Sequence, residues 1–288
     1  MVAIVTDSNS GITQKEAKEL GCTVIPMPFL INEEEYFEEI NLSQNEFYKK
    51  LLMGAEVSTS QPNIFNIVEL WKNLLNEFDE IVHIPMSSGL SASTETAISH
   101  AKEFNGKVQV VDNHRISVTQ RQSVLDALKL AKEGKSAKEI KDWLEETSYD
   151  SSIYIMLTTL KYLKKGGRIT PAAAALGTLL KIKPVLQIQG GKLDKFCQVL
   201  SYSQGKKKMI EQIIKDFEQR FKQFEEKGKM KIFIAYTYLE DKALEFKEEV
   251  DKAFEKYNIE VELVSSLPLS IACHIGDGAI ALACCRYY

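Results

Sequence analysis

The chain has few of the features that mark cross-linked, membrane-embedded or nucleic-acid-binding proteins. Five of its 288 residues are cysteine, and none lies in a C-x-x-C pair or beside histidine at metal-ligand spacing. No run approaches the roughly 18 apolar residues of a membrane span. Acidic residues (40) outnumber basic ones (36), so the net charge is −4 and no broad basic field attracts nucleic acid. We therefore expect reduced thiols, no metal or organic cofactor, no nucleic-acid partner and no integral membrane segment.

The N-terminal residues also show no signal-peptide pattern. Met1–Asp7 goes directly into a strand pattern, without a basic segment followed by a long apolar one. We therefore expect a cytoplasmic protein. Apolar residues make up 44% of the chain, which at this length can support two hydrophobic cores.

The first half alternates short apolar runs with amphipathic helical patterns. Predicted strands lie at 2–5, 22–31, 81–85 and 108–111, and predicted helices follow them. Thr13 with Glu16 and Ser43 with Glu46 form capping boxes at two helix starts. This alternation predicts an α/β domain over residues 1–157 with a parallel, Rossmann-like sheet.

The second half has a different order. A strand from Ser152 is followed by a basic segment, a hairpin around Gly190 and Gly191, a long helix at 204–224, and a strand, helix and strand to residue 264. Cys284 and Cys285 lie in an apolar terminal segment that reads as a core strand or helix. We therefore predict an α+β domain over residues 158–288.

One stretch of the second half combines a cation, a helix start and very small side chains. Arg168 follows two glycines, Thr170 can cap the next helix, and Pro171 suits its first position. The helix body, 172–175 with Gly177, has little side-chain bulk. We expect another backbone or a ligand to lie against it.

Polar residues cluster where the predicted strands of the first half end. In open α/β sheets, ligands collect beyond the carboxyl ends of strands, where helix N-termini offer unpaired amides. Hydroxyls and amides dominate these segments, and Arg168 and His274 are candidate cations, so a carboxylate or phosphate is the expected ligand. Taken singly, such residues are often caps, and Asp7 and Asp112 can simply receive backbone amides at turns. The segments are 6–8, 58–62, 87–91 and 112–113.

Six segments lie along the chain: IVTDS at 4–8, TSQP at 59–62, SSGLS at 87–91, LKYLKKGGRI at 160–169, LGTLLKIKPV at 176–185 and HIGDG at 274–278. In this order and at this spacing they resemble the DegV family of bacterial fatty-acid-binding proteins. The match spans essentially the whole chain.

The resemblance implies a two-domain protein that buries one long-chain fatty acid between its domains. It also implies the carrier half of a fatty acid kinase, in which a separate ATP-dependent subunit phosphorylates the carboxylate. By position, Thr59 and Ser91 match the hydroxyls that bind the carboxylate. Arg168 and His274 match residues at the pocket mouth. Ser60 and Ser88 are polar neighbours of Thr59 and Ser91.

Hydroxyl groups would bind the acid and leave it nucleophilic. A bidentate arginine would withdraw electron density from both oxygens, so we expect Arg168 to steer or neutralise the ligand from nearby. Two departures from the family pattern bear on these roles. Asp277 replaces a proline after His274, and Ser203–Lys206 replaces an Arg-x-Arg-Lys segment, which bears more on kinase coupling than on ligand binding.

Two other functions fit parts of the sequence. A self-sufficient phosphotransferase or hydrolase is disfavoured, because there is no G-x-x-x-x-G-K-[ST] loop, G-x-S-x-G elbow or zinc-protease motif. A binder of a small phosphorylated metabolite would suit the strand-end serines and threonines equally well.

Overall fold

A computed structural model describes residues 1–176 and 182–288. Its internal contacts divide the chain into unit 1, Met1–Tyr149 with Tyr288, and unit 2, Asp150–Tyr287. The division falls a few residues before the predicted position at 157, because the strand that begins at Ser151 pairs only with strands of unit 2 among the described residues.

Unit 1 contains seven strands and six α-helices in the described part of the chain. The strands are β1 (Val2–Asp7), β2 (Thr23–Ile25), β3 (Pro28–Ile31), β4 (Glu34–Phe37), β5 (Val57–Thr59), β6 (Glu80–Ile84) and β7 (Val108–Val110). The helices are α1 (Gln14–Leu20), α2 (Gln44–Leu52), α3 (Ile64–Leu74), α4 (Ser93–Ala101), α5 (Ser117–Lys132) and α6 (Ala137–Glu146).

The main sheet of unit 1 is parallel, with strand order β2-β1-β6-β7, which confirms the predicted fold class. Side chains alternate between its faces, so each strand supplies two cores. Ile4 and Val82 pack with residues of α5 and α6. Val5 and Ile81 pack on the other face with Trp71 and other residues of α3 and α4.

A second, antiparallel sheet of order β4-β3-β5 was not predicted. The extended stretch 22–31 is divided between the two sheets, because Pro26 has no backbone N–H to continue the pairing of β2. β4 is largely exposed and begins with two glutamates, so it shows no apolar alternation. Strand β5 of this small sheet ends at Thr59, one of the predicted site residues.

Unit 2 contains six strands and six α-helices among the described residues. The strands are β8 (Ser151–Met156), β9 (Lys183–Ile188), β10 (Asp194–Val199), β11 (Met230–Tyr236), β12 (Val261–Ser266) and β13 (Ile280–Arg286). The helices are α7 (Lys161–Gly166), α8 (Pro171–Ala174), α9 (Tyr202–Glu218), α10 (Lys222–Glu225), α11 (Glu240–Phe254) and α12 (Leu269–Ile275).

The unit 2 strands form one mixed sheet of order β10-β9-β8-β13-β11-β12, and the prediction of an α+β unit is confirmed. The hairpin at Gly190 and Gly191 is present as the antiparallel β9–β10 pair. The predicted helix at 204–224 is two helices, because α9 ends at Glu218 and α10 begins at Lys222. Cys284 and Cys285 lie on buried strand β13.

A buried polar network ties α9 to β8. Tyr154 donates its hydroxyl to Asp216 Oδ2 at 2.7 Å and accepts from Gln189 Nε2 at 3.0 Å. Tyr154 is fully buried, and Asp216 is 3% exposed. Burial, followed by the hydrogen bond to Asp216, raises the pKa of Tyr154 far above its ordinary value. This neutral hydroxyl therefore satisfies a carboxylate that water does not reach.

We expect Tyr154→Phe to lower the free energy of unfolding by about 1–3 kcal/mol, because it leaves a buried acceptor without its donor. Tyr287→Phe is the matched control in the same unit. It removes an exposed bond to Gly228 O at 2.8 Å, which water can replace, so the loss should stay within about 0.5 kcal/mol. Urea denaturation of both variants measures the difference. Equal losses would contradict a structural role for the buried network.

Candidate functional site

The carboxyl ends of β1 and β6 form the topological switch point of the parallel sheet. β2 lies on one side of β1 and β6 on the other, so the connections leave β1 and β6 in opposite directions. Ligands of open α/β sheets bind in the crevice beyond such a point. Of the predicted polar segments, Thr6–Ser8 spans the end of β1, and Ser87–Ser91 follows β6.

Asp7 lies at this point with 3% of its surface exposed. Its carboxylate accepts hydrogen bonds from the backbone N–H groups of Asn9 (2.9 Å) and Met86 (2.8 Å) and from Gln120 Nε2 (3.1 Å). Burial raises the pKa of Asp7 more than these hydrogen bonds lower it. The prediction that Asp7 can receive backbone amides at a turn is confirmed, and its contacts are internal to unit 1.

The Ser87–Ser91 segment forms a tight turn before α4. The carbonyl of Ser87 accepts from the N–H groups of Leu90 (3.0 Å) and Ser91 (3.1 Å). Ser88 is half-buried and donates its N–H to Asp112 Oδ1 at 3.2 Å, which brings the polar end of β7 alongside. Asp112 therefore also receives a backbone amide, as predicted.

The hydroxyl of Ser91 acts at the N-terminus of α4. The N-cap position is Ala92, which has no side-chain acceptor. Ser91 Oγ instead accepts from the N–H of Ser93 at 3.2 Å and donates to Ser93 Oγ at 2.9 Å. The proton of Ser91 can rotate toward an acidic ligand while the N–H bond remains. Sequence reasoning did not predict this pairing with Ser93, whose only signal was its position two residues after Ser91.

Thr59 ends strand β5 and pairs with Phe29 of β3. Its side chain is half-buried, and Ser60 is exposed. Gln61 Oε1 lies 3.4 Å from Thr96 Oγ1, in the first turns of α4. This contact brings the TSQP segment beside the helix that Ser91 precedes. The four predicted hydroxyl residues of unit 1 thus lie on two segments that meet at α4.

In unit 2, Arg168 lies between two short helices. α7 ends at Gly166 and has Gly167 as its C-cap, where a φ of 68° suits glycine. α8 begins at Pro171 with Thr170 as its N-cap. Thr170 Oγ1 accepts from the N–H of Ala173 at 3.2 Å, so the predicted helix start is confirmed. Arg168 Nη1 donates to the carbonyl of Gly166. Gly177, expected in the same small-residue helix, lies outside the described residues.

His274 lies on α12, and its imidazole packs against Gly166. A Cβ at Gly166 would collide with the imidazole. Burial, with a smaller effect from the charge of Arg168, lowers the pKa of His274 to about 4. The expectation of His274 as a second cation is therefore wrong at neutral pH. The structure does bring Arg168 and His274 together, since both contact Gly166.

The loop after His274 is held by close contacts. A Cβ at Gly276 would lie 2.7 Å from the Tyr162 ring. Tyr202 donates its hydroxyl to the carbonyl of Gly278 at 2.5 Å. Burial and then the charge of Asp277 raise the pKa of both Tyr162 and Tyr202. The charge of Asp277 therefore contributes to the raised pKa of two tyrosines, and the charge of Arg168 contributes to the lowered pKa of His274.

The segment Ser203–Lys206 lies in the first turns of α9. Gly205 is buried there, and a Cβ at this position would collide with the sulfur of Met156 on β8. Lys206 pairs with Glu249 of α11. The segment thus packs helices against the sheet, which gives a physical reason for a glycine at position 205.

Across residues 1–176 and 182–288, no group of three or more His, Cys, Asp or Glu side chains is arranged to hold a metal ion. In the same part of the chain, none of the helices has the length and apolar character needed to cross a bilayer.

The comparisons with known proteins agree over the length of the chain. A family model described as "Uncharacterised protein, DegV family" matches residues 1–286. A DegV domain-containing protein of Clostridium perfringens is 30% identical, covering 97% of this chain and 95% of the relative. A structure described as "Fatty Acid Binding of a DegV family Protein from Thermus thermophilus" is 30% identical with a TM-score of 0.83, covering 99% of both chains. The fatty acid binding protein DegV of Bacillus subtilis is 27% identical with a TM-score of 0.83 and the same coverage.

We expect His274 to stay neutral until the pH falls near 4, and Gly166→Ala to raise this pKa toward 6.5, because the added methyl displaces the buried imidazole. The lowered folded-state pKa means that the contribution of His274 to stability is present above pH 6.5 and is lost as the pH falls toward 4. NMR titration of the His274 ring measures both effects.

Gly191→Ala is the matched control, since a Cβ there meets nothing within 4 Å. It should leave the His274 titration unchanged. A Gly166→Ala protein in which His274 still titrates near pH 4 would contradict the tight packing of these two residues.

Proposed function

Because the chain belongs to the DegV family, we propose that it binds one long-chain fatty acid, with the carboxylate on Thr59 and Ser91 and the ligand between the two units. Relatives that are at least 27% identical over nearly the whole chain are described as fatty-acid-binding proteins. The observation that carries the proposal is the Ser91 turn, which precedes α4, the helix that the TSQP segment contacts through Gln61 and Thr96.

Hydroxyl groups suit an acid that must stay reactive. A buried carboxylate without partners would cost several kcal/mol. Ser91 Oγ already accepts the N–H of Ser93, so rotating its proton from Ser93 Oγ to a carboxylate oxygen gives a charge-assisted hydrogen bond without loss of the helix contact. Thr59 supplies the second hydroxyl in the proposal, and Ser60 and Ser88 are secondary candidates at the rim.

Arg168 and His274 are proposed as polar residues at the mouth of the same site. Arg168 donates to Gly166 O within its own turn, which favours steering or neutralising the ligand over a bidentate clamp. His274, neutral at pH 7, can donate or accept one hydrogen bond without adding charge.

The acyl chain supplies most of the affinity in this proposal. Burial of about a dozen methylenes contributes on the order of 10 kcal/mol gross, at ~0.8 kcal/mol per CH₂. The polar end then sets the orientation of the lipid, so variants at the head group should alter selectivity more than they abolish binding.

We further propose that the protein is a bacterial, cytoplasmic carrier and not itself an enzyme. A separate ATP-dependent kinase subunit would phosphorylate the bound carboxylate. The absence of a phosphate-binding loop motif from the sequence supports the assignment of catalysis to a separate subunit.

Pure protein with ATP, Mg²⁺ and fatty acid should then give no acyl phosphate, and turnover under these conditions would favour the self-sufficient enzyme.

We expect protein purified from bacteria to retain fatty acids in native mass spectrometry.

Ser91→Ala should weaken fatty-acid binding about 10- to 100-fold, because a hydrogen bond to a charged group is worth about 1.5–3 kcal/mol. Thr59→Val should have a similar effect. Fluorescence displacement or calorimetry measures the affinities.

Thr147→Val is a matched control, since Thr147 is a buried hydroxyl residue of unit 1 that donates to Trp143 O at 3.0 Å. It should disturb stability more than acid binding. Retention of a small phosphorylated metabolite, with no acyl chain, would overturn the proposal in favour of the alternative ligand.

A further inference from the structure

Met86 connects β6 to the Ser91 turn, and it is held on three sides. Its N–H donates to Asp7 Oδ2 at 2.8 Å, and its carbonyl accepts from Thr94 Oγ1 at 2.6 Å. Asn9 Nδ2 lies 3.1 Å from its sulfur. Both peptide groups of one residue are therefore fixed by side chains from other elements. We name Asp7, Met86 and Thr94 the Met86 clamp.

The clamp joins three elements at the switch point. Asp7 ends β1, Met86 follows β6, and Thr94 is a fully buried residue in the first turn of α4. The next residue, Ser87, donates its N–H to Arg115 O at 2.9 Å and accepts the N–H of Ser91 through its own carbonyl. The position of the Ser91 backbone thus follows from the position of Met86 through one hydrogen-bonded turn.

The hydrogen bonds of Asp7 require a carboxylate. Met86, Asn9 and Gln120 all act as donors, and both carboxylate oxygens accept. An amide at position 7 would turn an NH₂ group toward one of these donors. The raised pKa of Asp7 means that its favourable contribution to stability is present at low pH and is lost as the pH rises through that pKa. The buried Asp7 carboxylate therefore costs folding stability, which indicates that its role is functional.

We propose that Asp7 and Thr94 are positioning residues that set the Ser91 hydroxyl for the ligand's carboxylate. In this role they give the site its preference for a fatty acid over a neutral lipid of equal length. The inference rests on the proposed function. Neither residue needs to touch the ligand, because each acts through a peptide group of Met86.

The test compares oleic acid with oleyl alcohol as probes. Asp7→Asn and Thr94→Val should each reduce the ratio of acid to alcohol affinity about tenfold, because both displace Ser91. Thr94→Ser keeps the hydroxyl and should retain the wild-type ratio. The double variant should lose less than the product of the two single effects, since both act on one residue.

Tyr154→Phe controls for general destabilisation, because it weakens a network in unit 2. It should lower both affinities equally and leave the ratio unchanged. Hydrogen exchange gives a second readout: the amides of Leu90 and Ser91 should exchange faster in Thr94→Val than in wild type.

The outcomes separate the two ideas. Wild-type protein that binds neither probe, or binds both equally, would overturn the proposed function itself. Wild-type preference for the acid, with an unchanged ratio and unchanged exchange in Thr94→Val, would overturn the positioning role alone. Thr94→Val decides where Asp7→Asn does not fold, since valine keeps the shape of threonine and removes one hydrogen bond.

Discussion

The hydrogen bond between the Asp7 carboxylate and the Met86 N–H is the contact on which the unit 1 site depends. Parallel strands leave unpaired amides where they end, and these need partners when water is excluded. β1 and β6 pair from Val2 through Thr6 of β1. The side chain of Asp7, the next residue, accepts the N–H groups of Asn9 and Met86, which lie just beyond this pairing. The hydrogen bond from Met86 to Asp7 therefore lies both at the end of the β1–β6 pairing and at the start of the Ser91 turn.

Unit 2 is shaped by close approach more than by charge. Gly166 admits the His274 imidazole, and Gly276 admits the Tyr162 ring. These contacts exclude water, and desolvation is the main reason that the pKa of His274 falls. Arg168 then lies beside a neutral histidine. In the proposed function, one arginine among several uncharged donors matches a single carboxylate better than a doubly charged phosphate.

The sequence predicted the elements whose signals are local. Capping residues such as Thr13 and Thr170 predicted helix starts. The order of strands and helices predicted the main sheet of each unit. The β4-β3-β5 sheet was missed because β4 begins with two exposed glutamates. Helix α12 was missed because no side chain caps its N-terminus. The expected positive charge of His274 was wrong, because the burial that lowers its pKa depends on tertiary packing. The family motifs supplied the site residues, and the Thr59–Ser91 pairing on one ligand stays a prediction.

The two departures from the family pattern affect different parts of the molecule. Gly205 allows α9 to lie against Met156, so an arginine there would require the helix to move away from β8. Lys206 is engaged with Glu249, and Asp277 with two phenols. None of these contacts involves Asp7, Met86 or Ser91, whose hydrogen bonds described above join residues of unit 1. The turn proposed to bind the acid can therefore be retained while the start of α9 changes, because separate sets of contacts determine the two structures.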